Sequence, residues 1–378
     1  MKGFKNTWIV TEQGLQRTSL TFDEKFLTIG KNEENLEELP ENYVVVPGFI
    51  DEHVHGAAGS DAMDGTVEDL AKIANALATE GTTAFLATTM TQSPENIKKA
   101  LKAVKEYREA ASCEGAEVLG VHLEGPFISK DFIGAQPLEY VAEPNVEVFK
   151  EYLEASGNNI KLVSLAPEVE GSEELIKFLA ANNIVAAIGH TNAKYEDVRK
   201  AVAAGASTLT HTYNAMKPVH HREIGTVGSG FLFDKLACEC ICDGIHVSAP
   251  AIKLLHKNKP NDKFVLVTDA MRAKHMPDGI SELGGQVVIV KNGEARLENG
   301  TLAGSVLKMN NAVKNVMKFL QLPIEEVVKF ASYNPAKNLG VLDQLGSIKE
   351  GKRADFVILD ENQNVIKTVR AGKVIYQK

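Results

Sequence analysis

The sequence predicts an α/β protein, a (β/α)8 TIM-like barrel with a small β-sandwich domain formed from both termini. Three observations lead to this prediction. Eight apolar, strand-like segments occur between residues 49 and 269, and helical segments separate most of them. Eight strands alternating with helices is the number that closes a parallel barrel. The two ends of the chain carry short strands and Gly, Asn and Asp turns instead, and neither end alone could bury a core.

The predicted barrel strands are residues 49–53, 82–89, 118–123, 161–166, 184–190, 207–211, 237–242 and 264–269. Apolar periodicity and capping residues predict helices at 66–78, from Ser93-Pro94 onward, at 172–182 and at 195–204. An open doubly wound sheet is the structural alternative. It is disfavoured because His-Val-His-Gly, and not a glycine-rich dinucleotide motif, follows the first strand.

The predicted domains follow this division. Residues 1–48 and 345–378 would pair into the small β domain, and residues 49–344 would form the catalytic barrel. A β-hairpin is expected near 284–305, because Asn-Gly turn signals stand at 292–293 and 299–300.

Composition narrows the class of protein. The chain has 378 residues and a formal net charge of −9, which disfavours nucleic acid and anionic membranes as partners. It contains no apolar run of bilayer-spanning length and no signal-peptide pattern at the N-terminus, so we expect a cytoplasmic protein. Cys238, Cys240 and Cys242 alternate along one strand, and we expect them to pack as small apolar residues on one face of that strand.

Metal-ligand residue types fall at the ends of five predicted strands. In a barrel of this type the active site lies at the C-terminal mouth, where these strand ends meet. Independent structural explanations at five strands would be a rare coincidence, so the sequence predicts a metal site. Its nitrogen and oxygen ligands suit zinc, iron, manganese or cobalt. The six candidate residues are His53, His55, Glu124, His190, His211 and Asp269.

Several motifs resemble a known family. Residues 47–55 (PGFIDEHVH) resemble the first-strand motif of the amidohydrolase superfamily. The resemblance to the N-acetylglucosamine-6-phosphate deacetylase family within it runs nearly end to end. That resemblance is carried by residues 122–127 (HLEGPF), 134–136 (GAQ), 189–191 (GHT), 211–216 (HTYNAM), 243–246 (DGIH), 268–270 (TDA) and 302–305 (LAGS).

The resemblance implies one or two divalent metal ions per subunit. Glu124, His190 and His211 would hold one ion, and His53 and His55 would hold the other together with Glu124, with Asp269 nearby. Many binuclear members of the superfamily bridge their metals with a carbamylated lysine, and that role would fall here to the Glu124 carboxylate.

The resemblance also implies a reaction in amino-sugar metabolism. The acetamide of N-acetyl-D-glucosamine 6-phosphate would be hydrolysed to D-glucosamine 6-phosphate and acetate. A metal-bound hydroxide would attack, because a metal lowers the pKa of its water to about 7. Asp269 would act first as general base and then as general acid.

The family pattern further implies the residues that bind this phosphorylated amino sugar. Arg222 would grip the phosphate, in its own subunit or across the interface of a homodimer. Gln136 stands where some relatives carry histidine, and it is either an oxyanion donor or an ordinary loop residue. The predicted substrate-binding residues are Ala135, Gln136, Asn214, Ala215, Arg222, Asp243, His246, Leu302, Ala303 and Gly304.

Two other functions stay open at this point. A cyclic amidohydrolase of the dihydroorotase or hydantoinase type expects a bridging lysine at the end of the fourth strand, but Lys161 stands at the beginning of that segment. A non-catalytic barrel kept as a scaffold would be expected to have lost ligands, and all six are present.

Overall fold

The computed structural model describes residues 2–31, 35–110 and 114–378. In chain order, the strands of these residues are β1 (Lys2–Thr11), β2 (Gly14–Phe22), β3 (Phe26–Ile29), β4 (Val44–Pro47), β5 (Phe49–Val54), β6 (Gly56–Ala57), β7 (Ser60–Asp61), β8 (Thr82–Thr89), β9 (Glu117–Glu124), β10 (Ile160–Leu165), β11 (Val185–Ile188), β12 (Thr208–Leu209), β13 (Ala237–Ile241), β14 (Phe264–Val267), β15 (Gly279–Leu283), β16 (Gln286–Lys291), β17 (Glu294–Leu297), β18 (Phe356–Leu359), β19 (Val365–Arg370) and β20 (Lys373–Gln377).

The α-helices of the same residues are α1 (Val67–Ala78), α2 (Pro94–Glu109), α3 (Val146–Ala155), α4 (Ser172–Ala181), α5 (Tyr195–Ala204), α6 (Gly225–Leu232), α7 (Ala249–Asn258), α8 (Met309–Leu320), α9 (Ile324–Ala331) and α10 (Tyr333–Asn338). None of the helices in the described part of the chain is both long and apolar enough to cross a bilayer.

Eight parallel strands form the central sheet. Their order is β5, β8, β9, β10, β11, β12, β13, β14, so each strand pairs with the next barrel strand along the chain. A parallel bridge between Val54 and Ala270 joins the two ends of this order. One of the helices α1 to α7 crosses between each successive pair of strands. The prediction of a (β/α)8 barrel is therefore confirmed.

Burial explains why these segments form these elements. Every residue of β8 is buried, as expected for a strand enclosed by side chains inside the barrel and by helices outside it. Helix α1 buries Leu70, Ile73 and Leu77 on one face. The hydroxyl of Thr66 accepts a hydrogen bond from the Asp69 N–H at 3.1 Å and so caps the start of this helix.

The two ends of the chain meet in a second sheet. Its order is β20, β19, β18, β4, β1, β2, β3, and every pairing in it is antiparallel except that of β1 with β4. The sheet has its own core, in which the Phe356 ring packs against Phe4, Phe22 and Phe26. This sheet is the predicted β unit from both termini. The domain boundaries at residues 48 and 345 stay predictions.

The inserted β element is larger than the predicted hairpin at 284–305. It is a three-stranded antiparallel sheet of β15, β16 and β17, and it begins at Gly279. The Asn292-Gly293 turn joins its last two strands as predicted. Val288 and Val290 are buried in a cluster with Met90 and Met271, so the insert packs against residues beside the mouth of the barrel.

Three barrel strands end two residues earlier than predicted. Strand β11 ends at Ile188, β12 at Leu209 and β14 at Val267. The predicted strands had run on to His190, His211 and Asp269, which in the structure follow their strands by two residues. The backbone at these positions, described next, explains the difference.

Candidate active site

The six predicted ligand residues meet at the C-terminal mouth of the barrel. His53 lies in β5 with His55 just after it, and Glu124 is the last residue of β9. All six are buried, and Asp269, with 8% of its surface exposed, is the most accessible of them.

Left-handed turns place three of these residues. His190, His211 and Asp269 have φ angles of 47°, 27° and 48°. Such a conformation costs a non-glycine residue about 1–3 kcal/mol and is enriched at functional sites. It ends the extended strand, which explains why strand periodicity alone placed the strand ends two residues too late. A Cβ on Gly189 would lie 2.5 Å from the Thr210 Cβ, so glycine is needed where these two turns approach each other.

Glu124 lies at the centre of the cluster. Its Oε1 is 3.1 Å from Nε2 of His190 and 3.1 Å from Nε2 of His211. The same oxygen is 3.4 Å from His53 Nε2, and Oε2 is 3.3 Å from His55 Nε2. One carboxylate therefore contacts all four imidazoles. Its Oε1 lies near His190, His211 and, at the longer distance, His53, and its Oε2 lies near His55.

Asp269 lies against the His53 and His55 pair. Its Oδ1 is 3.2 Å from His55 Nε2 and 3.4 Å from His53 Nε2. Burial alone would raise the pKa of Asp269, but the charge of His53 and the hydrogen bond from His55 lower it to about 2. The carboxylate is therefore ionised at neutral pH.

The pKa values of Glu124 and His55 are also shifted so that the charged form of each is favoured. Burial favours a neutral Glu124, yet the charge of His53 and hydrogen bonds from His190 and His211 hold its pKa well below its usual range. Burial lowers the pKa of His55, but hydrogen bonds to Asp269 and Glu124 raise it to about 10. Protons on His53 and His55 thus balance the buried carboxylates. A divalent cation could displace those protons and supply the same positive charge.

Several atoms fit a metal ion. Nε2 of His190 and Nε2 of His211 are 3.1 Å apart. Both nitrogens also lie close to one oxygen of Glu124, so all three atoms could bind the same cation. His53 Nε2 is buried and has no hydrogen-bond partner among the described residues. Two of the three groups of candidate ligand atoms among the described residues consist of predicted ligands, one of Glu124, His190 and His211 and one of His53, His55 and Asp269.

Neighbouring groups orient the histidines. His190 Nδ1 lies 3.0 Å from the Phe132 carbonyl oxygen, which fixes Nε2 as the nitrogen that faces Glu124. His122 lies 3.1 Å from the Glu52 carbonyl oxygen through Nδ1 and 2.7 Å from Ser164 Oγ through Nε2.

Sequence reasoning missed Glu239, whose carboxylate lies 3.1 Å from His53 Nδ1. The signal for it was a charged residue in the middle of the buried, cysteine-rich strand 237–242.

A cavity of about 190 Å³ opens over the cluster. His55, Glu124, His190, His211 and Asp269 line it. Of the ten predicted substrate-binding residues, seven line the same cavity: Ala135, Gln136, Asn214, Ala215, His246, Leu302 and Gly304. Met90, Leu283 and Thr301 also line it and were not predicted.

Three predicted substrate-binding residues do not line the cavity. Ala303 is fully buried beside it. Asp243 contacts it through His246, since its Oδ2 lies 2.6 Å from His246 Nδ1. Arg222 is exposed on a loop, where its guanidinium lies 2.8 Å from His221 Nε2.

Gln136 is engaged at both ends of its amide. Its Nε2 donates to Glu124 Oε2 at 2.7 Å, and its Oε1 accepts from the Thr91 N–H at 2.7 Å. Gln136 therefore contacts the carboxylate at the centre of the cluster, and its role as an oxyanion donor stays a prediction.

Comparison with known proteins identifies relatives of the whole chain. The amidohydrolase family model matches residues 44–375. An N-acetylglucosamine-6-phosphate deacetylase of Bacillus subtilis (strain 168) is 44% identical over 341 residues, which cover 90% of this chain and 86% of the relative.

Solved structures agree. The N-acetylglucosamine-6-phosphate deacetylase of Thermotoga maritima superposes with a TM-score of 0.90 at 39% identity, covering 99% of each chain. A mutant N-acetyl-D-glucosamine-6-phosphate deacetylase of Mycobacterium smegmatis, solved in complex with N-acetyl-D-glucosamine-6-phosphate, superposes with a TM-score of 0.94 at 29% identity. That comparison covers 100% of this chain and 99% of the other.

Proposed function

The chain belongs to the amidohydrolase family, and from that premise we propose that it deacetylates N-acetyl-D-glucosamine 6-phosphate. The products would be D-glucosamine 6-phosphate and acetate. One observation carries the proposal: Glu124, four histidines and Asp269 meet at the floor of a cavity lined by seven of the expected sugar-binding residues. The names of the most similar relatives support this substrate.

We propose that one or two divalent ions, of zinc, iron, manganese or cobalt, bind at this cluster. Glu124, His190 and His211 would hold one ion. His53 and His55 would hold the other together with Glu124, with Asp269 nearby. Such a metal supplies polarisation of the acetamide carbonyl and acidification of the attacking water.

The chain's own residues would move the protons. Asp269 Oδ accepts a proton from the attacking water, whose oxygen forms a bond to the acetamide carbon. The C–N bond then breaks, and Asp269 returns the proton to the leaving nitrogen. The acetyl group leaves as acetate, and the second proton of the water passes to the amine or to solvent, so one water molecule is consumed in full.

Other residues would hold and orient the substrate. Gln136 fixes the Glu124 carboxylate through the 2.7 Å hydrogen bond. Asp243 binds Nδ1 of His246, which leaves Nε2 of that cavity-lining histidine for a sugar or phosphate oxygen.

Arg222 would reach the phosphate only by movement of its loop or from the second subunit of a homodimer, because it lies outside the cavity of its own chain. We expect Arg222→Ala to reduce turnover of the phosphorylated sugar more than that of the unphosphorylated sugar. An equal loss on both sugars would argue against phosphate binding by this arginine.

The alternatives are less well supported. A cyclic amidohydrolase would need a bridging lysine at the mouth, but Lys161 lies at the opposite, N-terminal end of β10. A scaffold protein would have no reason to keep six buried ligand-type residues together, because burying charged groups is costly.

Acetate release from purified, metal-supplied protein tests the proposal. We expect strong preference for N-acetyl-D-glucosamine 6-phosphate over the unphosphorylated sugar. Glu124→Gln should abolish turnover, whereas Glu106→Gln, the same change on the exposed face of α2, should leave it intact. Absence of acetate release from wild-type protein with any of the four metals would overturn the proposal.

A further inference from the structure

Glu239 is a buried carboxylate beneath the ligand cluster. It lies in the middle of β13, where Cys238, Cys240 and Ile241 are part of the apolar core. Because side chains alternate along a strand, Glu239 points to the other side of the sheet from Cys238 and Cys240. None of its surface is exposed. A carboxylate in such a place is expensive unless its contacts serve a purpose.

One oxygen of Glu239 contacts two of the ligand segments. Oε2 lies 3.1 Å from His53 Nδ1, and it also accepts a hydrogen bond from the His211 backbone N–H at 3.1 Å. The main chain adds a third link, since the Glu239 carbonyl oxygen accepts from the Thr212 N–H at 2.8 Å. The residue thus ties a histidine of one candidate metal group to the turn that presents a histidine of the other.

The contact to His53 determines which of its nitrogens can bind a metal. A neutral imidazole carries one proton, and a carboxylate at Nδ1 keeps that proton there. Nε2 then presents its lone pair, and it lies 3.4 Å from an oxygen of Glu124 and 3.4 Å from an oxygen of Asp269. His55 lacks such an anchor, because its Nδ1 has no hydrogen-bond partner among the described residues.

Direct metal binding by Glu239 is less consistent with the contacts. Glu239, His53 and His122 lie close enough to form a third candidate group. Both nitrogens of His122 are engaged, however, one with the Glu52 carbonyl oxygen and one with Ser164 Oγ. His53 Nδ1 is likewise taken by the Glu239 contact itself.

We propose that Glu239 is a positioning residue for the metal centre, which fixes His53 with Nε2 as its ligand atom and anchors the His211 turn. The inference rests on the proposed function, because it assumes that metal binds at the His53 and His55 pair. It adds that filling of this second position depends on a residue that touches neither metal nor substrate.

Titration of metal-stripped protein with Co²⁺, followed by calorimetry and visible absorption, tests the inference. Wild-type protein is expected to bind two Co²⁺. Glu239→Leu removes the acceptor, and Glu239→Asp keeps the charge but is one methylene too short to reach both partners. Both variants should weaken the second Co²⁺ by about 10–100-fold, the usual loss when a hydrogen-bond partner of a ligand histidine is removed.

Two further variants separate positioning from general damage. Glu239→Gln keeps an oxygen that can accept from both His53 and His211, so it should restore binding close to that of the wild type. Cys240→Ala removes a buried side chain from the neighbouring position on the opposite face of β13, and it should leave the titration unchanged. Circular dichroism of each variant checks that it is folded.

The outcomes are distinct. Unchanged affinity for both ions in folded Glu239→Leu or Glu239→Asp would overturn the inference. So would a wild-type stoichiometry of one, which leaves a single-metal hydrolase possible, or of three, which would make Glu239 a ligand. Failure of the wild type to bind Co²⁺ at all would overturn the proposed function itself.

Discussion

The substitution Asp269→Asn isolates the proton-transfer role proposed for this residue. Asparagine has the same size and keeps a carbonyl oxygen, but it loses the negative charge and with it the carboxylate's ability to accept a proton. An amide oxygen in the place of Oδ1 would keep its contacts of 3.2 Å to His55 and 3.4 Å to His53. The group of Glu124, His190 and His211 does not include Asp269 and stays complete.

The size of the expected effect follows from this geometry. General acid–base catalysis contributes about 10²–10⁴-fold to a rate, and Asp269 would serve in both proton transfers, so we expect kcat to fall by about 10³–10⁴-fold. At about 1.36 kcal/mol for each factor of ten, this is about 4–5 kcal/mol of transition-state stabilisation. KM should change little, because the expected sugar contacts come from other cavity residues such as Asn214 and His246.

The assay is acetate release at saturating N-acetyl-D-glucosamine 6-phosphate, with the metal content of every preparation measured alongside. Asp234→Asn, the same change at an exposed position before β13, is the matched control and should behave like the wild type. A metal-replete Asp269→Asn protein with kcat within tenfold of the wild type would refute the reasoning. Loss of metal from this variant would also contradict it, because Asp269 would then act mainly as a ligand.

Three further substitutions test the surroundings of the site. Lys274→Met leaves the fully buried Glu80 without its ion-pair partner at 2.7 Å. Thermal or denaturant unfolding should then show a free energy of unfolding lower by about 3–5 kcal/mol. A decrease below about 1 kcal/mol would contradict a structural role for the pair. Gln136→Ala removes the hydrogen bond to Glu124 and should lower kcat/KM by about 10–100-fold, the equivalent of about 1.5–3 kcal/mol for a bond to a charged group; unchanged kcat/KM would show that the carboxylate is held without it. Burial raises the pKa of Asp51 from 3.8 to about 6, against the opposing effects of Lys274 and Thr268, so the folded state binds this proton more tightly than the unfolded state. The stability that Asp51 contributes is therefore complete below pH 3.8 and is lost as the pH rises through about 6. The free energy of unfolding of Asp51→Asn, relative to that of the wild type, should increase by up to about 3 kcal/mol between pH 4 and pH 7. A difference that does not depend on pH would contradict the shift.

The architecture could be predicted from sequence because its signals are local. Eight apolar runs of strand length predict the barrel directly. Ser93-Pro94 marks the start of α2, because a serine cap followed by a proline at the first helical position is a local signal that does not depend on the rest of the fold. The ligand residues could also be predicted from the sequence, because parallel strands bring their C-terminal ends to one mouth of the barrel, whatever the length of each strand.

What could not be predicted depends on contacts between distant segments. The left-handed turns at His190, His211 and Asp269 carry no glycine or asparagine at the turn position itself, and only the packed mouth holds them. The hydrogen bond from Gln136 to Glu124 joins a loop to a strand end. Glu239 could not be identified as part of the site, because the alternation of side chains along a strand defines its two faces but not the residues that each side chain contacts on other strands of the barrel.

Removal and return of metal tests the central claim most directly, that these six residues form one metal-dependent deacetylase site. We predict that chelated protein, still folded and free of metal by elemental analysis, releases no acetate from N-acetyl-D-glucosamine 6-phosphate. Addition of Zn²⁺, Fe²⁺, Mn²⁺ or Co²⁺ should restore release in proportion to the ion bound. Undiminished acetate release by protein shown to be free of metal would contradict the account.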